Sequence, residues 1–268
     1  MMTSSKLKKF RQMNLALKLF LILLLSTSLK AQNHKVYMKL NSYPKTFTQL
    51  ISKYYSKVND TLYVSKCEIS NFEYNEFLKK NGNYIELKPD SLKWVKYAKK
   101  YFYAYNYHWF IAYQDLPIVN VTYESAIKYC QWLSSKYANE ANRAGKKILF
   151  KLPSEMEWLL ACQIESNKKW PSYSKNSDSL YFKPNVKLCD SIDCITECSP
   201  DNVASKYITS NGCSHFIGNV SEMLNEKGES KGGSWMHTIN ESSPDRTQKY
   251  FEANPFTGFR VFLVIYNN

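Results

Sequence analysis

The chain has 268 residues, 44% of them hydrophobic and 15% aromatic; this is a globular composition with length for one large or two small domains and a sizeable core. Its eight glycines are too few for a collagen-like chain, and no heptad is sustained long enough for a coiled coil. The formal charge of +13 falls to +7 (30 basic against 23 acidic residues) once the first 31 positions, with six basic residues and no acid, are set aside; no nucleic-acid motif accompanies it, so it reads as mixed solvated surface charge.

Lys6, Lys8, Lys9 and Arg11 precede the apolar run Leu19-Phe-Leu-Ile-Leu-Leu-Leu25 and a polar stretch ending at Ala31. That order predicts a signal peptide over 1–31, because the apolar run falls short of the roughly 20 residues a membrane span needs. Cleavage near Ala31 places residues 35–268, read as a single domain, outside the cytoplasm. The expected location is periplasmic, outer-membrane-associated or secreted, with no transmembrane span left after cleavage.

Phe47, Leu50, Ile51 and Tyr54 have helical spacing and predict a helix from Thr46 to Val58. Thr61–Val64 reads as a strand. Ser70-Asn-Phe-Glu73 is a capping box opening a helix that buries Tyr74, Phe77 and Leu78 and stops at Asn81-Gly82. Residues 83–116 are aromatic without clean periodicity; a helix is predicted over Lys93–Lys100 and packed irregular chain elsewhere. Leu116–Val121 reads as a short buried strand. Thr122 then caps a helix whose inner face is Ala126, Cys130, Leu133 and Tyr137. Ile148–Leu152 is a strand, and a second capping box, Ser154-Glu-Met-Glu157, opens a helix burying Trp158, Leu159 and Cys162. Residues 163–212 show few regular signals. Gly232–Trp235 is placed on a strand edge and Gly258–Ile265 as a closing strand. The sum is an α+β fold with much irregular chain.

All seven cysteines follow Ala31, where disulfides persist, and the odd count leaves at least one thiol over. Cys189, Cys194, Cys198 and Cys213 lack the paired short spacings of common zinc sites. Two local disulfides tying a long loop fit the compartment better.

Several segments, in order, resemble the formylglycine-generating enzyme or sulfatase-modifying-factor family. They are Cys67-Glu-Ile-Ser-Asn-Phe-Glu-Tyr74, Leu116-Pro-Ile-Val-Asn-Val-Thr-Tyr-Glu-Ser-Ala126 with Tyr129-Cys-Gln-Trp132, and Leu152-Pro-Ser-Glu-Met-Glu-Trp158. Gly218-Asn-Val-Ser-Glu222, Lys231-Gly-Gly-Ser-Trp235 and Gly258-Phe-Arg260 complete the set. The resemblance implies that family's fold, distantly like C-type lectins. Pro89-Asp90 with Trp94, and Tyr107-His-Trp-Phe-Ile-Ala-Tyr113, resemble the branch found among gliding-motility and type IX secretion components.

The family's chemistry carries over residue by residue. Its enzymes hold Cu(I) between two thiolates in a motif resembling G-G-S-x-x-C-x4-C, and those positions are His237 and Ser242 here. An imidazole and a hydroxyl do not replace two soft sulfur ligands, so copper is not expected. The resemblance implies one calcium site at His215, Gly218, Val220 and Glu222, and a second at Asn185, Val186 and Asp193. Histidine in place of an oxygen donor weakens the first; the rival reading of Glu222 is a pair with lysine or arginine. Cys130 and Cys162 lack the C-terminal partners of family members and read as apolar core. Arg260 reads as an anchor for buried carbonyls or an acid.

Three functional readings follow. The first is an exported non-catalytic binding or scaffold protein of a cell-envelope assembly, partnered by envelope or secretion-machinery proteins. The second is an oxidase with an altered metal site using His237, and the third a calcium-supported lectin-like binder.

Overall fold

Caps and apolar spacing set the elements of the computed structural model, which describes residues 43–81, 83–98, 101–162, 184–187, 199–204 and 212–267. The expectations placed on residues 1–31, Asp193, Cys189, Cys194 and Cys198 lie outside the described residues.

Helix α1, Phe47–Tyr54, opens where the Thr46 hydroxyl accepts the Gln49 amide, and it buries Phe47 and Leu50. It does not run on to Val58. Tyr55–Lys57 (β1) pairs antiparallel with Leu62–Ser65 (β2), because the Asn59 side chain accepts the Thr61 and Leu62 amides at 3.0 and 2.9 Å and turns the chain into a hairpin. Helix α2, Asn71–Asn81, begins at the Ser70–Glu73 capping box, in which the Ser70 amide donates to Glu73 at 2.9 Å.

Lys93–Ala98 forms α3 and Tyr101–Asn106 forms α4, with single 3-10 turns at Ile85–Leu87 and Ile111–Tyr113. The second of these helices falls where irregular chain was expected: Tyr101-Phe-Tyr-Ala-Tyr-Asn106 has aromatic residues all round, which hides the period. Helix α5, Tyr123–Arg143, is capped by Thr122 and buries Ala126, Cys130, Leu133 and Tyr137. Strand β3, Lys146–Lys151, leads to α6, Glu155–Cys162, which opens at the second capping box with the Ser154 amide donating to Glu157 at 2.8 Å. The remaining strands are β4 Ser221–Met223, β5 Glu229–Lys231, β6 Gln248–Lys249, β7 Thr257–Gly258 and β8 Phe262–Asn267.

One sheet has the order β1-β2-β8-β3 and the other β6-β5-β4-β7. In the first, the buried run Phe262–Ile265 lies between β2 and β3, with Ile148 opposite Ile265 and Val64 opposite Phe262. In the second, β4 runs parallel to β7, so Glu222 stands opposite Gly258.

Three expected strands differ. Leu116–Val121 is buried and extended, but its backbone bonds go to loops, from Ile118 to the Ile69 carbonyl and from Asn120 to that of Asn254, with only a single bridge from Pro117 to Ser70. The closing strand is split into β7 and β8 around Phe259–Val261, where Arg260 turns into the core. Strand β5 stops at Lys231, because Gly232 and Gly233 take φ of 88° and 65°, outside strand geometry. Residues Lys45–Asn268 form one compact α+β unit with much irregular chain. Among the described residues no helix is long and apolar enough to cross a membrane.

Candidate functional site

The motif residues Trp158, Glu222 and Arg260, from three separate segments, meet in the core. Its guanidinium donates from Nε and Nη2 to Glu222 Oε1 at 2.8 and 2.6 Å, from Nη1 to the Ser65 carbonyl at 2.8 Å, and from Nη2 to the Ser214 carbonyl at 2.5 Å. It also lies over the Phe216 ring, 4.3 Å from the centroid. Trp158 Nε1 donates to the other Glu222 oxygen at 2.7 Å. Burial alone would lower the Arg260 pKa, but the Glu222 carboxylate beside it raises it on balance, so the guanidinium keeps its charge in a core that would otherwise reject it.

A second buried acid, Glu68, completes this network. It accepts the Asn219 side-chain amide at 2.7 Å and the Val220 N–H at 3.2 Å. Burial, and then the negative charge of Glu222, push its pKa well up. Asn219, held at a φ of 61°, also takes the Asp201 amide at 2.7 Å and the Asn185 side chain at 3.1 Å on its side-chain oxygen. The network therefore joins β4, the Ser214–Asn219 turn and the segments around Asn185 and Asp201 by directional bonds.

This geometry bears on the calcium positions. Asn185 and Gly218 meet in a bridge, and a Cβ on Gly218 would sit 2.5 Å from the Asn185 carbonyl oxygen. The Asn185 carbonyl accepts the Asn219 amide at 2.7 Å, and Val186 is buried. His215 Nε2 lies 3.0 Å from the Asn202 carbonyl, a distance that calls for a proton on Nε2. Burial lowers the His215 pKa to about 4. With Glu222 committed to Arg260 and Trp158, the first position offers a donor N–H and a carboxylate whose oxygens are already bonded where a calcium ion needs open oxygens; its residues do not fit the ion. Among the described residues no three His, Cys, Asp or Glu side chains cluster as metal ligands do.

The copper positions lie in the turn after Gly233. Ser242 is fully buried, its hydroxyl donates to the Thr238 carbonyl at 2.8 Å, and a Cβ on Gly233 would stand 2.1 Å from the Ser242 Oγ. His237 Nδ1 lies 2.7 Å from Ser234 Oγ, which also accepts the Met236 amide at 3.1 Å. Burial lowers the His237 pKa against the opposing pull of Glu241. Glu241 accepts the Thr238 amide at 2.7 Å and the Thr238 hydroxyl at 2.9 Å, closing a small capping box of its own. Cys162 and Cys213 are buried in the apolar cluster of Trp158, Phe216 and Phe262, and burial raises the Cys213 thiol pKa. Cys67 is pushed up to about 12, burial being the main cause. These are not the lowered, exposed thiols that bind soft metals, and the donor set of the turn does not fit Cu(I).

Sequence reasoning gave Glu68, Asn219 and Lys231 no role of their own, although each sits in a quoted motif. For Glu68 and Lys231 the available signal was a charged residue set among apolar or glycine neighbours. Lys231 Nζ is fully buried and reaches the Pro244 carbonyl at 2.7 Å and Glu155 at 2.8 Å, so it ties the following loop to α6.

No curated protein matches the chain in sequence. Among solved structures, Treponema denticola variable protein 1 is similar with a TM-score of 0.50 and 13% identity over 78% of this chain and 90% of its own. CarF gives 0.50 and 19% over 75% and 85%, and PvdO from Pseudomonas aeruginosa 0.49 and 15% over 76% and 80%. The first two likenesses support the fold that the motifs imply. Residues 53–265 match the model of the sulfatase-modifying factor enzyme 1-like domain, and the chain belongs to that family.

Proposed function

We propose that the chain is a non-catalytic binding or scaffold protein on this fold, exported to a cell-envelope assembly of the gliding or type IX secretion kind. The observation that carries the reading is Ser242, a hydroxyl sealed against Gly233 and bonded to the Thr238 carbonyl where the family's enzymes place a thiolate. The turn around it is held by the Ser242–Thr238 and Thr238–Glu241 bonds while the sulfur pair is gone, as in a fold kept for its shape.

Export is supported by the basic and apolar pattern of the first 31 residues. The secretion-branch assignment is supported by the aromatic run that follows Pro89. That run has two parts: Trp94 and Tyr107 are wholly buried and 4.6 Å apart between ring centroids, whereas Phe102, Tyr105, Trp109, Phe110 and Ile111 are exposed and give the protein an apolar face for a partner.

The test is to incubate the chain from residue 32 onward with copper(I), oxygen and a cysteine-bearing sulfatase peptide, and to probe for aldehyde with a hydrazide. No aldehyde is expected. Aldehyde above the level of the peptide with copper alone overturns the reading and restores an oxidase with a changed ligand set.

A further inference from the structure

A cleft of about 470 Å³ opens between the end of α2, the Ile85–Leu87 turn and the outer face of α5. It shares no residue with the Arg260 network or with the Gly233 turn. Three aromatic rings line it, those of Phe77, Tyr84 and Trp132, and beside them stand Glu86, Lys128 and Gln131. Two features set it apart from an ordinary surface furrow.

First, its walls are fixed in advance. Trp132 is braced by Phe77 and Tyr129, with ring centroids 5.6 and 5.5 Å away, and by the Lys136 ammonium 5.0 Å from its centroid. The Ile85–Leu87 turn is pinned to the helices behind it, with the Tyr74 hydroxyl donating to the Leu87 carbonyl at 2.7 Å and the Ser125 hydroxyl to that of Glu86 at 3.0 Å. Second, the polar groups at its rim are open to a ligand: among the described residues the side chains of Tyr84, Glu86, Lys128 and Gln131 make no hydrogen bond or ion pair.

A braced indole, an exposed tyrosine ring and rim donors and acceptors match one ligand chemistry well. A pyranose ring presents apolar C–H faces, which lie against aromatic rings, and a rim of hydroxyls, each of which donates and accepts. The volume falls within the range of roughly 300–1,000 Å³ typical of ligand pockets, and a preformed wall spares the ordering cost of binding. We infer that this cleft is an oligosaccharide-binding site, with Trp132 and Tyr84 as stacking platforms and Gln131, Lys128 and Glu86 as hydroxyl partners. It holds whether or not the chain is an oxidase, since no residue of the Gly233 turn takes part.

The test is calorimetric titration of the chain with chitotetraose, cellotetraose and maltotetraose, followed by Tyr84→Ala and Gln131→Ala. Both changed side chains are exposed, so folding should be kept, and equal melting temperatures check this. The expected result is binding of at least one probe, weakened about tenfold or more by each substitution. If none of the three probes binds, or if binding survives both substitutions unchanged, the assignment is overturned. The copper assay reads a different turn and separates failure of this site from failure of the scaffold reading.

Discussion

Arg260 shows how one buried side chain can organise a fold. Its four donated bonds and its place over Phe216 join β2, the Ser214 turn, β4 and the approach to β8. Removing one partner of a buried ion pair costs roughly 3–5 kcal/mol, because the other charge is left without compensation. Arg260→Met is therefore expected to lower unfolding free energy by about that amount in urea titrations. Glu222→Gln, which can keep the Trp158 bond, is expected to cost less. Equal stability of Arg260→Met and wild type would show that the pair is dispensable. The same commitment of Glu222 argues against ion support, so EDTA and millimolar calcium should leave the melting temperature unchanged in scanning calorimetry; a rise with calcium would show that the ion is held. Gly-Phe-Arg told of an arginine anchored in the core, and that much was legible from residue type and neighbours. Its convergence with Glu68 and Asn219 was not, because those residues are 151 positions apart and meet only through the fold.

At the level of elements, local chemistry was readable and long-range pairing was not. The Ser70–Glu73 and Ser154–Glu157 capping boxes and the Thr122 cap announce their helices from side chains three residues apart, and the structure forms those bonds. The extended Leu116–Val121 segment has the apolar content of a strand, but whether it joins a ladder depends on Ile69 and Asn254, far away in sequence. The Gly232–Gly233 turn lies between these cases. Two adjacent glycines mark a turn in sequence, and the structure adds the reason neither can change: Gly232 faces the Phe216 carbonyl oxygen, 2.4 Å from where a Cβ would stand, and Gly233 faces Ser242. For Gly233→Ala the left-handed φ and the overlap with Ser242 each cost about 1–3 kcal/mol. Thermal melts should show a clear loss of stability. Adding Ser242→Gly should recover only part of it, because the Ser242 Cα would still be 2.7 Å from the new methyl. Full recovery would mean that side-chain overlap alone set the cost.

The molecule as a whole should respond to acid in two stages, because its buried titratable groups pull in opposite directions. Burial lowers His108 to about 3 and His215 to about 4. The unfolded chain takes up their protons near pH 6.5 while the folded chain refuses them, so both histidines destabilise the fold as pH falls from about 6.5 toward those values. Glu68 does the reverse: its raised pKa keeps a proton in the folded state that the unfolded chain releases above about 4.5, so it adds stability as pH falls toward that value. Between pH 6.5 and 4.5 the lowered histidines, His237 among them, are partly offset by the raised carboxyls of Glu68 and Glu73. Below 4.5 the offset ends, and the lowered carboxylates of Glu124, Glu155, Glu157 and Glu241 begin to lose their bonds as well. The urea midpoint should therefore fall gently from pH 7 to 4.5 and steeply below it. His215→Asn is the informative variant, because asparagine tolerates the φ of 55° held there and carries no titrating ring. It should flatten the gentle limb by an amount on the order of 3 kcal/mol at full titration. An unchanged limb in that variant would show that His215 titrates alike in both states and that another buried group sets the response.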